Sequence, residues 1–212
     1  SIQTGGLTFN NVIHSGAGTL ATQSDGFTVA GTFNQTAGTI DTSSGSKLFS
    51  NNVTIGAGTN WTAGGGNLIL DSATIFTDNR VTKANVWNFQ LEAGATLTLG
   101  SNLVFNSITW GGSNSSLVTS GYTADIGTGG VDIVSGILNA TNSTITCEGN
   151  WTNNADAVLT LTGSTIEFDA GSGTQTFNSG GITFNNVTHS GAGTLQLTTN
   201  ALTVGGTFTN SA

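Results

Sequence analysis

Two carboxylates, Glu167 and Asp169, stand at i and i+2 in the segment STIEFD. On an extended strand that spacing puts both on one face, as a general acid/base pair or a cation site requires. Glycan cleavage would need further carboxylates converging on the same groove, and the remaining acidic residues are scattered. The pair therefore reads as a solvated outer strand face, with no catalytic residue and no enzyme activity expected. His14 and His189 occupy equivalent places in two HSGAG stretches. Each reads as a surface turn residue, because most of the chain's length lies between the two and neither has ligand partners nearby. The segment GTGGVD (residues 127–132) has the glycine–aspartate character of a calcium-binding turn, but such turns work by regular repetition and this one occurs once. No metal and no cofactor is expected.

The aromatic residues are the other source of chemistry. Trp61 and Trp151 share an NWT triplet, which suggests that they fill one structural slot in different repeats. Trp87, Trp110 and Tyr122 lie between residues 77 and 123, where the regular pattern loosens and where Arg80 and Lys83 also lie. Together Trp87, Trp110, Tyr122, Arg80 and Lys83 form a candidate lateral contact patch, suited to stacking on a sugar or a neighbouring chain.

The elements that must position these residues are short. Alternations such as Phe27-Thr28-Val29, Val53-Thr54-Ile55, Leu97-Thr98-Leu99 and Ile166-Glu167-Phe168 have a period of two and are rich in β-branched and aromatic residues, which is strand. Glycine, serine and asparagine clusters punctuate them, and nothing reads as helix. Of the 212 residues, 32 are glycine, none is proline or methionine, and only 7% are charged, against roughly 25% in an average domain. With 36% apolar residues spaced through uncharged polar ones, the chain reads as a regular fold with polar outer faces.

The net charge of −8 is set against three cations, Lys47, Arg80 and Lys83. That is no electrostatic footprint for nucleic acid or an anionic membrane. No run is apolar enough for a transmembrane helix, so no membrane insertion is expected. Nor does any stretch read as a signal peptide, which leaves room for one already removed or for a longer parent chain. Cys147 is single and reads as a small buried residue.

Internal repetition sets the architecture. GGLTFNNVIHSGAGTL at residues 5–20 returns as GGITFNNVTHSGAGTL at residues 180–195, an offset of 175 with two differences. A second motif, GTFNQ, GNWTN and GTFTN, carries Phe33, Trp151 and Phe208 at its third position. The intervals from Gly31 to Gly149 and from Gly149 to Gly206 fit six and three coils of roughly 19–20 residues. Such a coil suits a β-solenoid of about eleven turns, roughly 50 Å long at the usual strand spacing. We read residues 1–212 as a single solenoid segment, one long repeat at 1–175 followed by the start of the next copy at 176–212. Thr-x-Thr segments such as Thr96–Thr98 do not track the coil, so a flat threonine array of the ice-binding kind is not expected. Asn-x-Ser/Thr sequons at Asn52, Asn60, Asn114, Asn139, Asn142, Asn150 and Asn186 follow from the composition.

Residues 171–212 (GSGTQTFNSGGITFNNVTHSGAGTLQLTTNALTVGGTFTNSA) resemble the repeat regions of large bacterial surface and secreted proteins, the filamentous-haemagglutinin-like and autotransporter-type adhesins. The resemblance covers essentially the whole chain and contains no catalytic signature. It implies a right-handed parallel β-helix in an extracellular, cell-surface stalk, adhesin or matrix fibre. Its partners would be itself or neighbouring repeats, end to end or side by side. The alternative it leaves open is a module that binds surface glycans or a host surface through the side of the rod.

Overall fold

The computed structural model describes residues 6–22, 26–41, 45–62, 66–83 and 87–212. Among them every regular element is a β-strand, and every ladder between strands is parallel. The chain is a parallel β-solenoid.

Most turns supply three strands. The first runs through Thr8–Phe9, Val12–His14 and Thr19–Ala21, and the second through Phe27–Val29, Phe33–Gln35 and Thr39–Asp41. Each strand pairs with its counterpart one turn on: Thr8 with Thr28, Val12 with Phe33, and Leu20 with Ile40. The rod thus has three sides, taken here in that order. The first side is one continuous ladder from Thr8–Phe9 to Thr194–Leu197.

The strands form where they do because alternate residues have somewhere apolar to go. On the first side Phe27, Lys47, Leu68, Phe89, Ile108, Val131, Trp151 and Phe177 are in register and buried. On the third, Phe105, Ile126, Cys147, Phe168 and His189 form an equivalent column. Rings meet edge to face across the interior between sides, as for Phe76 and Phe89 at 5.3 Å and Phe177 and Phe184 at 5.0 Å, the arrangement favoured by the ring quadrupole.

Polar groups tie turn to turn. The Oδ1 atoms of Asn11, Asn52, Asn102, Asn150 and Asn186 accept the backbone N–H of Thr32, Ile75, Thr123, Thr176 and Thr207, each one turn ahead, at 2.8–3.0 Å. These are corner positions, where the chain leaves one ladder before joining the next. There a side-chain acceptor replaces the missing backbone partner. Inside the rod, the Gln175 amide donates to the carbonyls of Cys147 and Gly149 at 2.7 and 2.9 Å, and Gln35 donates to those of Gly38 and Asn60.

The rod makes about nine turns rather than the eleven expected. Most turns advance the chain by 20, as between Thr96 and Ser116, or by 21, as between Asp125 and Thr146. A few are longer, such as Phe76 to Leu99 and Trp151 to Phe177. The expected coil is too short because the motif used to measure it does not recur on one side. Phe33 lies on the second side, Trp151 on the first and Phe208 on the third. Their separations are therefore fractional, about five and two-thirds turns and then about two and two-thirds. Trp61 and Trp151 likewise fill different slots, on the third and first sides.

The same displacement governs the long repeat. In the first copy the three strands take sides one, two and three. In the second, Thr183–Phe184 follows the first-side strand Thr174–Asn178, Asn186–His189 joins the third-side ladder, and Thr194–Leu197 joins the first. The local register is nevertheless retained, since Thr8–Thr28 and Val12–Phe33 return as Thr183–Thr203 and Val187–Phe208. The repeat offset is therefore about eight and one-third turns, and the same passage folds the same way one side further round.

Candidate functional site

The structure does not gather Arg80, Lys83, Trp87, Trp110 and Tyr122 on one surface. Trp87 and Trp110 are 2% and 4% exposed: Trp110 falls on the inward phase of the strand Leu103–Trp110, and Trp87 immediately precedes the strand Asn88–Leu91, in phase with its buried Phe89. Arg80 is buried as well. Its Nε and Nη2 donate to the two carboxylate oxygens of Asp78 at 2.9 and 2.8 Å, and its guanidinium lies 4.9 Å from the Trp87 ring centroid. Lys83 donates from Nζ to the Asn102 carbonyl, and burial lowers its pKa. Tyr122 alone of the aromatic members is open, 39% exposed after the tight turn at Ser120 and Gly121. The proposed patch is thus corrected. Its cation and indole form a buried strut, and a stacking surface of three aromatic rings does not exist.

The carboxylate pair has neighbours that the sequence did not reveal. Burial raises the Asp169 pKa, and the charges of Asp125, Glu148 and Glu167 raise it further. Asp125 and Glu167 project outward in register on the third side, with Thr146 between them. Hydroxyls already occupy part of this group: Thr146 donates to Asp125 at 3.0 Å and Ser190 to Glu167 at 2.6 Å. Among the described residues no set of three or more His, Cys, Asp or Glu side chains is placed to hold a metal ion.

The histidines depart from the expected surface turns. Both end strands, His14 half-buried and His189 buried with its Nδ1 3.1 Å from Asn210 Oδ1. They also lie on different sides of the rod. Cys147 is buried, as expected, and that burial pushes its thiol up to about 12. In GTGGVD, Gly130 has φ 71° and its Cα side abuts the Asn150 backbone of the next turn, so this glycine serves stacking rather than a loop.

Among the clefts on the described residues, one sets a row of polar groups beside an apolar step. A cleft of about 390 Å³ opens at the corner between the first and second sides. Asn114, Ser135 and Asp156 line it from three consecutive turns, one residue per turn at equal intervals, and Ile137 and Val158 lie beside them in direct register. Trp110 lies beneath, its Nε1 donating to the Ile137 carbonyl at 3.3 Å. Nothing in the sequence marks these residues as a site. The signal that could have done so is their common one-turn spacing, which becomes visible only once the turn length is known.

No helix among the described residues is long and apolar enough to cross a membrane. Comparison with protein-family models, curated proteins and solved structures yields no match.

Proposed function

We propose that this chain is a structural rod segment of an extracellular bacterial fibre, adhesin stalk or matrix filament, acting by mechanical reach and assembly without catalysis. The observation that carries this reading is the displaced repeat. Residues 8–14 and 183–189 stack on their following turns in the same register while occupying different sides of the rod. Such a sequence encodes the ability to stack and is indifferent to which side it forms. A lateral recognition face, by contrast, needs its residues held on one side. The resemblance to adhesin repeats and the low charge support the same conclusion.

The partner under this reading is a further copy of the same unit, whose turns fill the strand edges left at either end. The test is to express one, two and three tandem copies of the long repeat and measure their lengths by electron microscopy. Each added copy should lengthen the rod by ~40 Å, eight and one-third turns at the parallel strand spacing. Flexible beads, or an increment unrelated to the turn count, would refute the reading.

A further inference from the structure

We propose that the corner cleft over Asn114, Ser135 and Asp156 is a binding site for a neutral sugar chain lying along the rod axis. Three observations converge on that ligand. The polar groups form a row, one per turn, at the strand spacing of ~4.8 Å. An amide, a hydroxyl and a carboxylate can between them donate to and accept from successive sugar hydroxyls. Beside the row runs an apolar step, Ile137 and Val158, the latter 58% exposed and so available to the C–H face of a ring.

Charge then selects among ligands. Lys47 and Arg80 are buried in the core, and Lys83 is held against Asn102 on turns nearer the N-terminus. No lysine or arginine reaches the cleft, while Asp156 sits in its wall, so an anionic glycan would meet repulsion without compensation. A long apolar peptide is disfavoured for a different reason, since the row would leave its polar groups unpaired on one flank.

The cleft has a structural cause. Gly136 lies between Ser135 and Ile137, and a Cβ there would overlap the Trp110 indole and crowd the Ser115 carbonyl. The missing side chain leaves room for the Trp110 indole directly beneath the floor. That indole is a built-in reporter.

The experiment is a 1H–15N NMR titration of the whole chain with cellotetraose and mannotetraose, with 3′-sialyllactose and spermidine as charged comparators. The neutral sugars should shift the Asn114 side-chain amide, the Trp110 indole N–H and the backbone of residues 113–115, 135–137 and 156–158, saturating in the millimolar range expected of an open one-sided site. The double variant Asn114→Ala/Asp156→Ala should weaken binding at least tenfold, and Val158→Glu, at an exposed position that tolerates substitution, should abolish it. Absence of shifts with both neutral sugars overturns the proposal. So do shifts produced by sialyllactose or spermidine at lower concentration, shifts centred elsewhere on the rod, or undiminished binding in the variants.

Discussion

Replacing Arg80 with alanine separates a surface contact residue from a buried strut. The Asp78 and Arg80 side chains are 0% and 5% exposed, and both guanidinium–carboxylate contacts are at or below 2.9 Å. The Asp78 carboxylate also accepts the Arg80 backbone N–H at 3.1 Å, so the pair closes a compact turn as the chain leaves the strand Ala73–Asp78. Removing the cation strands a carboxylate in the core, which costs about 3–5 kcal/mol. Loss of the contact with Trp87 adds about 1 kcal/mol. Since about 1.4 kcal/mol is a factor of ten, the ratio of folded to unfolded chain should fall by roughly three to four orders of magnitude. Urea unfolding followed by tryptophan fluorescence reads this directly, with Trp87 a local probe of the affected turn. The double replacement Asp78→Leu/Arg80→Met should recover most of the loss, because it removes the stranded charge along with its partner. A cost below about 0.5 kcal/mol for Arg80→Ala, the value typical of an exposed side chain, would refute the assignment.

Gly136→Ala should destabilise the chain by about 1–3 kcal/mol and shift the emission of Trp110, because the new methyl group overlaps the indole and crowds the Ser115 carbonyl; thermal unfolding and fluorescence check both. Asn150→Ala removes the acceptor for the Thr176 N–H at 2.8 Å and should cost about 0.5–1.5 kcal/mol in a chemical-denaturation experiment. Cys147 should resist thiol reagents in the folded state. Its thiol is raised from 9.0 to about 12, so the contribution of this group is fully present below pH 9. Above that pH the unfolded chain ionises and the folded one does not, and stability should fall by about 1.4 kcal/mol per pH unit until the folded thiol itself titrates. A stability curve flat between pH 9 and 11 in the native chain, or equally sloped in Cys147→Ala, would contradict that account.

The strands and their stacking were legible because alternation and glycine punctuation are local signals, and both survive in every turn. Burial at single positions was less so. Trp87 and Trp110 look like surface aromatics when the surrounding pattern loosens, yet both are buried, Trp110 on the inward phase of its strand and Trp87 just before the strand Asn88–Leu91. The Asp78–Arg80 pair did carry a signal, an acid two positions before a base in a chain with only three cations, but only the fold shows that both point into the core. The turn length is hard to read from the sequence for a geometric reason: a motif that recurs on different sides returns after a fractional number of turns, and dividing by a whole number shortens the coil. The row Asn114, Ser135, Asp156 stays hidden in the sequence because its members are linked by nothing but the true period.

The fractional repeat has a consequence for the whole rod. In a tandem array of the long repeat, each copy starts one side further round than the last, so any feature of the side wall returns every ~40 Å on the next side and regains its first orientation only after three copies. Such a rod has no constant face along its length. It is therefore poorly suited to flat side-by-side packing, which needs the same contacts repeated along one line. It is well suited to presenting a weak site in all directions, because a surface meeting the rod from any side finds the corner cleft at every third copy. Millimolar contacts spaced along one chain add through effective concentration rather than through any single strong site. The proposed mechanical reach and the proposed sugar binding are then compatible: the displacement that makes the sequence indifferent to side in stacking also distributes this cleft around the axis.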